Sequence, residues 1–439
     1  MPADLAVIGL GHLGIPLVQA ATTAGVRTLG YDPDPGAAAD LRAGRLPCGA
    51  WDGALSAADL RRMAAGGFRT TSDPAELGRV HTAVICAPTP LGADRTAGLS
   101  AVGEAARALA AQLRPHTTVV LESAVYPGTT EEFLRPILED GSGLRAGRDF
   151  HLAYSPGRLD PGNRAYGYAN TPKVIGGLTP ACTEAAATFY GRLTEKVVRA
   201  RGPREAETVK VLETNYRHVN IALVNEMAMF CQDLGVDLWD VIRCAETKPF
   251  GFQAFRPGPG VGGHGVPIAS DCSPYGGRGP GRPLAMVELA QQVNGRMPGY
   301  VTRRCAALLN EHGKSARGAR VLLLGVSYKP DVGDQEGAPA REIASRLMEL
   351  GAQLSFHDPF VARWRVLGQP VPRADALYEA VADADLTVLL QHHRSYDLQG
   401  LAVKAQLLLD TRGGSELTRS RGSEPVRRAR RAGAARVQQ

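Results

Sequence analysis

Long apolar runs are missing from this chain of 439 residues: no stretch approaches the roughly 18 consecutive apolar residues that a membrane helix needs. Met1-Pro2-Ala3-Asp4 leads straight into a strand-like run without a basic segment, so neither a membrane span nor a signal peptide is expected. Cysteine is sparse and unpatterned. Cys48, Cys86, Cys182, Cys231, Cys244, Cys272 and Cys305 are odd in number and have no C-x-x-C spacing, which excludes a disulfide framework and leaves no metal site to expect. A reducing cytoplasm fits. The body also lacks an excess of positive charge. Of the net +6, most lies in residues 416–439, where Arg419, Arg421, Arg427, Arg428, Arg430, Arg431 and Arg436 face only Glu416 and Glu424. That tail reads as a solvated, disordered extension, with nucleic-acid or partner binding as its minority reading; neither nucleic acid nor membrane is an expected partner of the chain. What remains, 44% apolar and 21% charged residues, is the balance of a soluble globular protein long enough for two or three domains.

Short apolar runs alternate with helical patterns from the start, at Leu5-Ala6-Val7-Ile8, Ala83-Val84-Ile85-Cys86 and Thr118-Val119-Val120-Leu121, the signature of a parallel sheet covered by helices. From Glu205 to Glu246 the pattern becomes one long helical stretch, apolar at Val209, Leu212, Tyr216, Val219, Leu223 and Met227, with no Gly or Pro until Gly235. The Gly/Pro-rich segment 250–281 cannot be regular structure, and more helix is expected from Leu284 to His312. A second strand-first pattern begins at Arg320-Val321-Leu322-Leu323-Leu324-Gly325 and continues through Leu354-Ser355-Phe356 and Leu386-Thr387-Val388-Leu389-Leu390 to Leu407-Leu408-Leu409-Asp410. The expected class is α/β, with two Rossmann-like parallel-sheet domains joined by a long central helix.

Gly9-x-Gly11-x-x-Gly14 follows the first strand and opens a helix, and Asp32 ends the next apolar run. Glycines there permit a tight turn and let backbone N–H groups approach a pyrophosphate, while the acid binds ribose hydroxyls. Asp32 would repel a 2′-phosphate, so NAD is the expected cofactor.

Seven further segments stand out: Cys86-Ala-Pro-Thr-Pro90, Leu121-Glu-Ser-Ala-Val-Tyr-Pro-Gly-Thr-Thr130, Tyr154-Ser-Pro-Gly-Arg-Leu-Asp-Pro-Gly-Asn163, Thr171-Pro-Lys-Val-Ile-Gly-Gly177, Val209-Lys-Val-Leu-Glu-Thr-Asn-Tyr-Arg217, Thr247-Lys-Pro-Phe-Gly-Phe252 and Pro257-Gly-Pro-Gly-Val-Gly-Gly-His264. Together they resemble the UDP-glucose/GDP-mannose dehydrogenase family, particularly its UDP-N-acetylhexosamine branch. The resemblance covers everything but the tail. It implies an NAD-binding Rossmann domain (1–203), a central helical dimerisation domain (204–312), a nucleotide-sugar-binding domain (313–415) and the Arg-rich tail (416–439), assembled as a homodimer. It implies that Pro88, Thr89 and Ser123 join the cofactor site, that Arg158, Gly260, Gly262, Gly263, His264, Lys329 and Arg412 serve a nucleotide sugar, UDP-linked, and that Lys210 and Asn215 stabilise charge on the reacting oxygen. The plainer reading of the last two is a solvated helix lysine and a capping asparagine.

The departures from the family are as informative. Its members oxidise a primary alcohol to an aldehyde and then to a carboxylate. An aldehyde cannot release hydride until a nucleophile has added, and in the family a cysteine after Gly-Gly-His does this. Here the residue is Gly265. The family's threonine, glutamate and aspartate, which manage the attacking water and its proton, are Ala124, Gly157 and Ala269. Cys272 lies seven residues from the lost nucleophile, and Ser270-Asp271 offers a shifted aspartate only if the loop carries an insertion. In Gly333-Asp334-Gln335-Glu336-Gly337-Ala338-Pro339 the family's arginine falls on Glu336. Two functions are therefore open: an NAD-dependent oxidoreductase performing a single oxidation or redox-neutral chemistry at a sugar CH–OH, or a catalytically silent member that binds NAD or nucleotide sugar and acts by association.

Overall fold

The computed structural model describes residues 3–45, 55–90, 98–160, 162–163, 165–263 and 284–414. The expectations for His264, Gly265, Ala269, Ser270, Asp271, Cys272 and the tail lie outside the described residues. Two compact units emerge, residues 3–215 and residues 216–263 with 285–414.

In the first unit the strands are β1 (Leu5–Ile8), β2 (Thr28–Tyr31), β3 (Arg69–Thr71), β4 (Thr82–Ile85), β5 (Thr118–Leu121), β6 (His151–Tyr154), β7 (Lys173–Gly177) and β8 (Val197–Arg199). They form one sheet in the order β3-β2-β1-β4-β5-β6-β7-β8, parallel except where β7 runs against β6. Helices α1 (Gly14–Thr23), α2 (Pro35–Arg42), α3 (Ala57–Ala65), α4 (Ser100–Ala110), α5 (Arg135–Ser142) and α6 (Pro180–Tyr190) connect them. Side chains alternate across a strand, so Ala6 and Ile8 enter one apolar core while Leu5 and Val7 enter another on the opposite face. Strand order reverses between β1 and β4, the place where such sheets open a crevice for ligands.

Helix α7 (Pro203–Asp233) runs from the first unit into the second. It buries Glu207, Thr214, Asn215, His218, Ala222 and Asn225, while Leu212, Tyr216, Leu223 and Phe230 are exposed. At 100° per residue these four apolar side chains fall within about 40° of one another, a narrow stripe along one face. The unbroken helix expected to Glu246 is not what forms. Gly235 takes a left-handed φ of 67°, and α8 (Leu238–Ala245) starts afresh, its first turn capped by Asp237 accepting from Trp239 N at 2.9 Å. Glycine offers the turn without strain, and the aspartate then nucleates a new helix.

The second unit continues with α9 (Ala285–Glu311), β9 (Arg320–Leu324), α10 (Pro339–Glu349), β10 (Gln353–His357), the short hairpin β11 (Arg365–Val366) and β12 (Gln369–Pro370), α11 (Leu377–Asp383), β13 (Leu386–Leu389), α12 (Leu398–Lys404) and β14 (Leu408–Asp410). Its parallel sheet has the order β10-β9-β13-β14, a smaller version of the first. No helix among the described residues is long and apolar enough to cross a membrane.

Candidate active site

The glycine motif occupies the turn from β1 into α1, and its three glycines meet three different surroundings. Gly9 has φ +96°, and a Cβ there would lie 2.9 Å from the backbone of Cys86 and Ala87. A Cβ on Gly14 would fall on the carbonyl oxygen of Gly9. At Gly11 a Cβ would meet nothing within 4 Å among the described residues. Two glycines close the turn and the middle one leaves its backbone open, the shape a pyrophosphate needs. Asp32, just past β2, accepts Leu10 N (3.2 Å) and Asp34 N (3.1 Å), which holds its half-buried carboxylate beside the turn. At the ends of β4 and β5, Ser123 Oγ donates to Ala87 O (2.7 Å) and Thr89 Oγ1 to Ala124 O (2.9 Å), while Pro88 is exposed. These residues fit a dinucleotide.

Past β6, the segment 155–158 brings several predicted residues together. Lys210 on α7 donates from Nζ to Gly157 O at 2.6 Å. Arg158 donates to Pro172 O (2.5 Å) and Glu213 (2.6 Å). The space a side chain would take at Gly157 is already used: a Cβ there would stand 2.6 Å from Leu13 Cδ2. Thus an apolar side chain from the glycine motif lies where any side chain at position 157 would begin. Asn215 follows Lys210 by five residues, about 140° around the helix. It is buried, and its Oδ1 accepts no hydrogen bond among the described residues.

Three buried charged groups were not foreseen from the sequence. Glu122 and Lys173 form an ion pair inside the first unit, joined by the hydroxyls of Tyr168 and Tyr190. The only local signal was a charge at the edge of an otherwise apolar strand. Glu207 on α7 accepts Gly128 N (2.5 Å), Thr130 N (2.8 Å) and Thr130 Oγ1 (2.7 Å). Burial outweighs these three donors and raises its carboxyl to about 7.

In the second unit the predicted glycine loop is shaped by what packs against it. A Cβ on Gly258 would lie 2.7 Å from an Arg412 nitrogen, on Gly260 3.1 Å from the Pro339 ring, on Gly262 2.5 Å from Gly337 O, and on Gly263 2.7 Å from the Tyr328 ring. Gly258 N donates to Asn225 Oδ1 (2.9 Å), and Asn225 Nδ2 to Asn294 Oδ1 (2.8 Å). Arg412 donates to Leu390 O and Gln391 Oε1, both 2.7 Å; burial pushes its guanidinium down to about 10 although Asp410 works the other way, so it stays cationic at neutral pH. Lys329 is half-buried on the loop after β9. Beneath that loop, Asp358 accepts Val326 N (2.8 Å), Ser327 N (3.2 Å) and the ring of His393 (3.1 Å). Asp331 N donates to His393 Nδ1 (2.9 Å), so the ring proton sits on Nε2 and faces Asp358. Burial raises the Asp358 carboxyl, but His393 and the peptide N–H groups together hold it below the usual range. The cluster with Ser327 is a brace for the loop, since Ser327 Oγ is turned to Lys329 O (3.0 Å). Glu336 is exposed, with its backbone held by Asp334 Oδ1 (2.9 Å) and Gly263 N (3.2 Å).

A dinucleotide-binding unit followed by a second, smaller Rossmann-like unit defines a class, that of two-unit nucleotide-dependent dehydrogenases. The chain belongs to the UDP-glucose/GDP-mannose dehydrogenase family: residues 3–194 match its NAD binding domain, 204–296 its central domain and 322–415 its UDP binding domain. It is 32% identical to the UDP-N-acetyl-D-glucosamine 6-dehydrogenase of Pseudomonas aeruginosa over 82% of this chain and 83% of that one. It is 30% identical to the UDP-N-acetyl-D-mannosamine dehydrogenase of Escherichia coli (strain K12), over 94% and 99%. Among solved structures, the UDP-D-ManNAc dehydrogenase of Pyrococcus horikoshii superposes with a TM-score of 0.82 at 26% identity, covering 93% of this chain and 95% of that one. The cofactor is NAD, and the substrate class is a nucleotide sugar.

Proposed function

We propose that this protein oxidises a CH–OH group of a UDP-linked sugar without carrying it on to a uronic acid. The observation that carries the reading is Gly157, where no carboxylate stands and Leu13 fills the start of its place. In the sequence, Ala124, Gly265 and Ala269 extend the same loss to the nucleophile and the remaining proton-handling groups.

Bound NAD supplies a hydride acceptor. Lys210, which also contacts Gly157 O, stabilises negative charge on the sugar oxygen while the hydroxyl proton passes to solvent water; Asn215 is the second polar group for that oxygen. In the second unit the loop glycines Gly260, Gly262 and Gly263, with Lys329 and Arg412, are our candidates for the nucleotide; Arg158 is the first unit's candidate for the substrate. Related proteins that act on UDP-N-acetyl-D-glucosamine and UDP-N-acetyl-D-mannosamine support a UDP-N-acetylhexosamine as substrate. The exposed stripe of α7, Leu212, Tyr216, Leu223 and Phe230, supports a homodimer joined through the central domain, 204–312, between the NAD domain, 1–203, and the nucleotide-sugar domain, 313–415. A cytoplasmic location belongs to the same reading.

Mass spectrometry of the product, with native protein, NAD and a panel of UDP-hexoses and UDP-N-acetylhexosamines, is the test. One NADH per sugar, or cofactor-dependent turnover without net NADH, is expected, and a uronic acid formed at a steady rate would overturn the reading. Binding of NAD and UDP-sugar with no conversion across the panel would favour the silent member instead, as the four small replacements allow.

A further inference from the structure

Three consecutive residues of the first unit, Pro156, Gly157 and Arg158, are gripped from two sides. From β7 the Lys173 ammonium donates to Pro156 O (3.3 Å), and from α7 the Lys210 ammonium donates to Gly157 O (2.6 Å). Arg158 spans the same gap, reaching Pro172 O just before Lys173 and Glu213 just after Lys210. The two lysines thus hold the carbonyls on either side of a single glycine Cα. The Gly157 carbonyl is thus one of the contacts that hold the Lys210 ammonium.

Lys173 is itself fixed in direction. It is 4% exposed and its partner Glu122 1%. The Lys173 ammonium lies 5.0 Å from the ring centres of both Tyr168 and Tyr190. Glu122 accepts Tyr168 Oη at 3.1 and 3.2 Å and Tyr190 Oη at 3.0 Å. Burial, and then the charge of Glu122, raises both tyrosine hydroxyls well above their ordinary range, so they remain neutral donors. A desolvated pair whose oxygens are all taken tolerates little displacement, because any shift leaves a buried charge unpaired.

We propose that Lys173, with Glu122 as its buried counter-ion, is a positioning residue for Lys210: through the Pro156 and Gly157 carbonyls it sets where the Lys210 ammonium stands. The proposal rests on Lys210 serving the reacting oxygen, but its placement can be measured without turnover. The full-length protein with NAD is acylated by acetic anhydride, and peptide mass spectrometry gives the ratio of modification at Lys210 to that at exposed Lys404. In the double variant Glu122→Gln/Lys173→Met, which leaves no unpaired charge, the ratio should rise severalfold. Tyr168→Phe, which keeps both charges, should raise it less. An unchanged ratio in the folded double variant overturns the proposal; if that variant does not fold, an unchanged ratio in Tyr168→Phe does so. In turnover with UDP-N-acetylglucosamine the double variant should lose about tenfold to a hundredfold in kcat at constant KM, the scale of a misplaced catalytic group. A change in KM alone also overturns it. If the native protein yields no NADH from any UDP-sugar, the functional reading fails, and the acylation ratio still decides the placement.

Discussion

The two units use glycine for opposite ends. In the turn after β1, Gly9 and Gly14 close the backbone on itself so that Gly11 meets nothing within 4 Å among the described residues. In the loop 258–263 every glycine meets something, an Arg412 nitrogen, the Pro339 ring, Gly337 O or the Tyr328 ring. One segment is shaped to admit a ligand, and the other to let a loop lie flat against its own domain. Glycine content alone therefore says little, and the atom that a Cβ would strike says what each glycine is for. The strongest way to break the contrast is inside the first segment. Gly14→Ala, whose Cβ falls on a backbone oxygen, should cost about 3 kcal/mol of stability and abolish NAD binding. Gly11→Ala should change stability by less than about 0.5 kcal/mol. It should nevertheless weaken NAD by about tenfold or more, equivalent to about 1.4 kcal/mol. Thermal unfolding and calorimetric titration with NAD separate the two.

Buried acids sharpen the same comparison. Glu207 in the first unit is surrounded by neutral donors, and burial lifts its carboxyl from 4.5 to about 7. Asp358 in the second has His393 and several peptide N–H groups, and is held below its usual range. The signs are opposite. A carboxyl raised on folding stabilises below its unfolded pKa, and that contribution fades as the pH climbs through 4.5 to about 7; for Asp358 the contribution is present above the unfolded pKa and fades as the pH falls. Glu207→Gln should therefore remove up to about 3 kcal/mol of the change in stability between pH 4.5 and 7. Urea unfolding of both proteins across that range checks it, and parallel curves would show that the three donors hold Glu207 ionised.

Gly262→Ala tests the second segment with a smaller effect. Its Cβ would lie 2.5 Å from Gly337 O. A cost of about 2 kcal/mol is expected, with weaker UDP binding and unchanged NAD binding by calorimetry. That loop was marked in the sequence by its glycines and by a family resemblance, but what pressed on each glycine was not visible, because Tyr328, Gly337, Pro339 and Arg412 lie far along the chain. The same limit hid the Glu122 and Lys173 pair, 51 residues apart, and the contact of Leu13 with Gly157. Features with a period or a fixed spacing were legible: the strands of both sheets that carry four buried residues, the Gly9-x-Gly11-x-x-Gly14 turn, and the long helix up to Asp233. The apolar period up to Met227 does not carry past Gly235, where glycine followed by a capping Asp237 is a stop and a start.

The smallest effect concerns Glu336. The side chain is exposed, while its backbone N–H donates to Asp334 Oδ1 and its carbonyl accepts from Gly263 N. Those backbone bonds do not depend on which side chain is present, so Glu336→Arg should leave the unfolding temperature unchanged. The substitution reverses a charge on the peptide that borders the glycine loop, and its influence on a bound diphosphate must pass through solvent. An interaction of that kind is worth about 1 kcal/mol or less. Calorimetry with UDP should accordingly show a few-fold gain in affinity at low ionic strength that shrinks as salt screens it. A gain that persists undiminished in salt would mean a direct, desolvated contact. No gain at either salt would mean that the charge at 336 does not act on a bound diphosphate.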